Sequence, residues 1–176
     1  MIRILIVLLF FGVSLSAEEK AAYQGTAQVT FFATSTFHDF SGTGSTKPFD
    51  VYPSTEKNGY DWRTELVIEQ LDTQKPKLNK AMYRMFDTKA FPLIIGSFKE
   101  IAFSDAQISF DLTIRNTTKK MLAHMRRVEV HENSITFELE FDVSLKDFDL
   151  KPPTFLGFIK VGDLVKVNNH FTINKT

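Results

Sequence analysis

The stretch 135-ITFELEFDVSL-145 decides the fold. Ile135, Phe137, Leu139, Phe141, Val143 and Leu145 are apolar, and Thr136, Glu138, Glu140, Asp142 and Ser144 between them are polar. Successive side chains of a strand point to opposite faces, so this spacing predicts an antiparallel strand with one dry face and one wet face. At roughly 3.4 Å per residue the strand reaches about 37 Å, which is long for a small domain.

The same period recurs along the chain. Tyr23, Gly25, Ala27, Val29 and Phe31 alternate with polar neighbours, as do Ile108, Phe110, Leu112 and Ile114. Val165, Val167, Asn169, Phe171 and Ile173 do the same, with Asn169 the one break. Trp62, Thr64, Leu66 and Ile68 read as a further strand, and segments 35–43, 93–104 and 122–131 as shorter or bulged ones. Glu132-Asn133 marks a turn, 115-RNTTKKM-121 a polar connection, and Pro152-Pro153 forbids regular pairing.

One segment breaks the period. In 78-LNKAMYRMFDTKAFPLI-94, Leu78, Met82, Met85 and Phe86 recur at helical spacing. This predicts a short amphipathic helix near residues 76–87, with Lys80 and Arg84 off the apolar stripe. So short a helix is marginal alone and must bury its oily face on something.

The residues therefore predict an all-β domain of about eight antiparallel strands. A flat sheet would leave apolar surface wet and two edges open. A two-sheet sandwich and a closed barrel both solve this, and the long strands favour the barrel. At about eight strands the interior holds side chains or one small ligand.

The chain has 176 residues, with 21 Lys and Arg against 21 Asp and Glu, and no cysteine. The start, 1-MIRILIVLLFFGVSLSAEEK-20, has the layout of a secretory signal: Arg3, an apolar run from Ile4 to Val13, then small residues. The run is too short for a span, which takes about 20 apolar residues. The expected division is a signal peptide over 1–17, cut near Ser16 or Ala17, and one barrel domain over 18–176. Cleavage removes one charge, Arg3, so the mature chain carries a single net negative charge. That balance offers no footprint for nucleic acid. The expected location is periplasmic or secreted.

Chemistry-bearing motifs are scarce. There is no HExxH, GxSxG or complete phosphate loop, and 42-GTGSTK-47 lacks the required spacing. His38, His124, His131 and His170 are scattered, without ligand spacing on one element. We therefore expect no enzyme, no metal and no cofactor. His38-Asp39 falls on an expected strand, its two side chains on opposite faces. The aromatic load is high: Phe37, Phe40, Phe91, Phe98, Phe103, Phe110, Phe137, Phe141, Phe155, Phe158 and Phe171 are placed to line an interior. An apolar lining with few polar groups is the usual form of a lipid site, and the same residues would also serve as core filler.

Four segments, in order, resemble the YceI-like family. They are 35-STFHDFSGTG-44, 82-MYRMFDTKAFPLI-94, 112-LTIRNTTKKM-121 and 144-SLKDFDLKPPTFLGFIKVGDLVKV-167. The resemblance implies a lipocalin-like antiparallel barrel with an elongated apolar cavity that binds a polyisoprenoid, such as a quinone or polyprenyl chain, or another long-chain lipid. On this reading Phe37, His38, Phe40, Phe91, Phe110, Phe137, Phe141, Phe155 and Phe158 contact the ligand together with Leu78, Met82, Met85 and Phe86. The protein would be an exported soluble carrier, not membrane-integral, and a homodimer is compatible with the sequence. A packed barrel acting through its surface and a small outer-membrane barrel are the alternatives. Two departures stand out. Leu78-Asn79 replaces a family Arg-Asp pair, which implies a less charged ligand. Asn116 replaces the family's turn glycine and is expected to take the left-handed backbone in its place.

Overall fold

A computed structural model describes residues 20–55, 58–155 and 159–176, with the backbone alone at Phe155 and Ile159. The expected leader lies outside these residues. The described residues form ten strands: β1 (Tyr23–Ser35), β2 (Phe40–Ser45), β3 (Phe49–Pro53), β4 (Tyr60–Val67), β5 (Leu93–Ile101), β6 (Gln107–Ile114), β7 (Thr117–Val130), β8 (Ser134–Ser144), β9 (Thr154–Phe155) and β10 (Ile159–Lys175). An α-helix, α1 (Pro76–Phe86), lies between β4 and β5.

The sheet closes on itself. β1 pairs antiparallel with β10 from Tyr23↔Lys175 to Ser35↔Val161. β2 pairs with Gln28–Ala33 of β1 and β3 with Tyr23–Gly25, so the two share one position in the ring. Their gap is bridged to β4 by Thr46↔Leu66. β9 pairs only with the start of β10. The result is a closed antiparallel barrel of eight strand positions. No sheet edge runs its length, which is the physical reason for closure.

The alternation of 135–145 does what its period requires. Phe137 and Leu139 are fully buried, and Ile135, Phe141 and Val143 nearly so. Glu138 and Glu140 lie on the outer face, against Arg127 and Arg126, both at 2.8 Å.

The structure corrects several expected boundaries. The expected strand over 35–43 is two strands, broken by a loop at 36–39, so His38-Asp39 is on a loop. The polar connection 115–121 shrinks to Arg115-Asn116, because Thr117↔Ile114 to Lys120↔Asp111 already pair. The left-handed residue of that turn is Arg115, at φ 55°, and not Asn116. Ile68 leaves β4 and opens a 3-10 turn over Ile68–Gln70. β3 had no signal of its own, since Phe49 and Val51 give only one and a half periods.

One end of the barrel is filled by rings. Trp62 stacks on Phe98 at 4.6 Å and 11°, Phe98 on Phe110 at 4.7 Å, and Phe137 on Phe171 at 4.7 Å and 4°. Trp62 also meets Phe137 and Phe171 edge-on, each at 6.2 Å. Aromatic pairs in these offset and edge-on arrangements gain about 0.5–1.5 kcal/mol each beyond burial. The other end lies beneath α1.

Candidate functional site

The space between the aromatic packing and α1 is a cavity of about 140 Å³, measured as the volume open to the centres of water-sized spheres. Its walls come from the ends of the strands that lie nearest the helix. β1 contributes Val29, Phe31 and Ala33; β8 contributes Phe141 and Val143; β10 contributes Val161, Val165, Val167 and Asn169. β5 and β6 supply Ile94, Gly96, Phe98, Phe110, Leu112 and Ile114. No described lining residue is charged, and the polar side chains are those of Thr46, Thr64 and Asn169.

α1 roofs the cavity with Leu78, Met82, Met85 and Phe86. Pro76 starts it with a pre-set φ, and Asp87 ends it in the left-handed conformation at φ 55°. Its entry has no side-chain cap at Lys75. Asn79 reaches back instead: its Oδ1 accepts from the Thr73 backbone N–H at 2.9 Å and from the Thr73 hydroxyl, and its Nδ2 donates to Asp72 Oδ1 at 2.7 Å. Asp72 also accepts the Gln74 N–H at 2.7 Å. These two donors hold the Asp72 carboxyl below its ordinary range, with Asn79 the larger cause. The Tyr83 hydroxyl faces the Leu71 and Glu69 carbonyls at 2.7 and 3.0 Å, and the Thr88 hydroxyl donates to Glu69 Oε1 at 2.7 Å. Partial burial raises the Tyr83 phenol, so it stays a donor. The helix is thus tied at both ends to residues 69–73.

At the helix entry an open groove runs between the 36–39 loop, Gln74–Leu78 and Val161. Phe40, Leu78 and Val161 line both groove and cavity, so they form the mouth. His38, Lys75 and Lys77 stand on its outer side.

The expected ligand-contact residues divide as follows. Phe40, Leu78, Met82, Met85, Phe86, Phe110 and Phe141 are on the cavity wall. His38 is on the outer groove. Phe137 lies in the aromatic packing below, Phe37 is exposed, and Phe91 sits under the Arg115 guanidinium, 5.1 Å from the ring centre. The side chain of Phe155 and all of Phe158 lie outside the described residues. Asn79, which stands in place of the family pair's acid, is engaged with the helix lead-in.

The three polar wall residues, Thr46, Thr64 and Asn169, were not among the expected contacts, and neither were aliphatic wall residues such as Val29, Leu112 and Val165. Asn169 left a trace in the sequence as the break in an otherwise apolar face. Its Oδ1 is buried without a hydrogen-bond partner. Such an atom costs about 1–3 kcal/mol. Among the described residues no group of three His, Asp or Glu side chains converges to hold a metal.

The chain belongs to the YceI-like family: the model of the YceI-like domain matches residues 16–173. Solved structures share the fold. A polyisoprenoid binding domain from Saccharophagus degradans superposes with a TM-score of 0.66 at 11% identity, over 89% of this chain and 100% of that one. Burkholderia cenocepacia BcnA gives 0.64 at 16% identity, over 83% and 95%. The Campylobacter jejuni YCEI protein gives 0.54 at 18% identity, over 81% and 85%. A UPF0285 protein of Methanococcus maripaludis is 39% identical over 64 residues, which cover 35% of this chain and only 20% of that protein.

Proposed function

We propose that this YceI-like chain is an exported binding protein that holds a long-chain isoprenoid or similar fatty amphiphile in the cavity beneath α1. The observation that carries the reading is the cavity itself. It is apolar on nearly every side, and its roof is a short helix rich in methionine. Methionine is flexible and polarisable, and suits sites that accept variable apolar shapes. The similarity to a domain described as polyisoprenoid binding supports the same ligand class.

The mechanism is burial. Each methylene taken from water gains about 0.8 kcal/mol, so a chain of several outweighs a small head group. The aromatic packing occupies the far half of the barrel. An isoprenoid therefore seats one end under α1, and the rest of a long chain leaves by the mouth at Phe40, Leu78 and Val161. Affinity rises with chain length until the cavity is full and then levels off.

An outer-membrane barrel would need an apolar outer surface. Here the outward positions of β6, β7 and β8 carry ion pairs: Lys120–Asp111 at 3.1 Å, Arg126–Glu140 and Arg127–Glu138 at 2.8 Å. Among the described residues no helix is long and apolar enough to cross a membrane. Export rests on the Met1–Ala17 leader.

The test is native mass spectrometry of the full protein recovered from the exported fraction, followed by solvent extraction. A stoichiometric lipid adduct, with the chain starting near Glu18, is the expected result. A clean protein mass that takes up no added prenol or quinone would remove the carrier reading, and a chain still starting at Met1 would remove the export step.

A further inference from the structure

The polar groups of the cavity are not scattered. On each strand that carries one, it is the wall residue furthest from α1. Asn169 is the deepest lining residue of β10, since Phe171 below it belongs to the aromatic packing. Thr64 is the deepest of β4, with Trp62 beneath it. Thr46 lies at the end of the β2 run, beside Leu66 and against the Ala27 N–H, which its hydroxyl accepts at 2.9 Å. The Thr64 hydroxyl has only a long contact, 3.5 Å, to the Gly96 carbonyl. The mouth and roof are apolar by comparison.

We infer that the cavity takes its ligand head-inward: a small uncharged hydrogen-bonding group docks at the floor on Asn169, Thr46 and Thr64, and the apolar tail runs back to α1. The inference rests on the lipid-binding reading and adds an orientation and a head-group class. The unpartnered amide oxygen of Asn169 is what the ligand completes. A buried polar atom gains most from a partner where no water competes. Rotation about the Asn169 side chain presents an acceptor or a donor, so an alcohol, a primary amide or a quinone carbonyl fits. An ionised carboxylate or phosphate does not, because no charged described residue lines the cavity to compensate it. The cationic groups Lys75 and Lys77 stand outside the mouth, where a tail-inward ligand would put its head.

The molecule carries its own reporter. Trp62 is the only tryptophan, and it stacks on floor residue Phe98, its partner across β4 and β5. Two fatty alcohols of equal length, one brominated beside the hydroxyl and one at the tail end, are titrated into the full chain while Trp62 fluorescence is read. Head-inward binding predicts at least twofold stronger quenching by the head-side bromine. Asn169→Leu is expected to lose about tenfold in affinity for the alcohol relative to the hydrocarbon of the same length. Stronger quenching by the tail-end bromine overturns the orientation but leaves lipid binding intact. Unchanged alcohol-to-hydrocarbon selectivity in a folded Asn169→Leu variant overturns the role of Asn169. Binding of neither alcohol by the wild type removes the lipid-binding reading and this inference together. Orientation is read in the wild-type chain, so it does not depend on the variant folding, and Thr64→Val probes the same floor from the opposite side of the β1–β2 wall.

Discussion

Met85 shows how one residue divides between structure and function. It lies on the helix face and on the cavity wall, but it is only partly buried, whereas Met82 and Phe86 beside it are core. Met85→Asp places a carboxylate on the apolar roof at a residue that packs on the edge of the core and is not fully enclosed by it. It should lower affinity for a bound prenol at least tenfold while the chain still folds, as read by isothermal titration beside far-ultraviolet circular dichroism. Wild-type affinity in a folded variant would mean that the helix only caps the barrel. Asn79 carries a different lesson. Its identity suggested a polar contact, and only its bonds to Thr73 and Asp72 show that the contact is internal. A residue type states what it can bond, and the tertiary structure states what it does bond.

At the scale of the element, α1 is the part whose stability is most separable from the barrel. Its length alone could not sustain it. The lead-in at Asp72 supplies a pH dependence. Because the folded carboxyl titrates lower than in the unfolded chain, its contribution is present above about pH 4 and is lost as pH falls through the folded value. Hydrogen exchange should show the α1 amides losing protection in that acid range. Asp72→Ala should lower their protection at neutral pH and flatten the acid response. Glu65 is also held low, mainly by the Lys47 ammonium, but it sits on β4 and does not touch the helix. An unaltered acid response in Asp72→Ala would place the cause elsewhere.

At the scale of the molecule, the barrel is two chemically distinct halves. The aromatic half is the store of stability, and the half under α1 gives up packing for a cavity. Phe171 is 1% exposed and touches the rings of Phe49, Trp62, Phe98 and Phe137. Phe171→Ala should cost about 3–5 kcal/mol, measured by urea unfolding. The same truncation opens space below the floor. Longer chains should then bind better in this variant than in the wild type, provided that it is studied well below its unfolding midpoint. A loss under 1 kcal/mol would mean that this half is loosely filled.

The sequence by itself determined the wet and dry faces of most strands, because a period of two survives any tertiary arrangement. It determined α1 for the same reason, since Leu78, Met82, Met85 and Phe86 share a face only as a helix. Strand ends were less legible: β3 is too short to show a period, and Thr117–Met121 is polar yet paired, because ladder bonds use the backbone and not the side chain. The sequence could not say which inward phenylalanines fill space and which surround it. Phe137 and Phe141 are alike in pattern and lie on one strand, four residues apart, and one is packing while the other is wall. Only closure of the barrel decided that, by setting which rings meet across the interior. It also turned Asn169 from a flaw in an apolar strand into the innermost wall residue of β10.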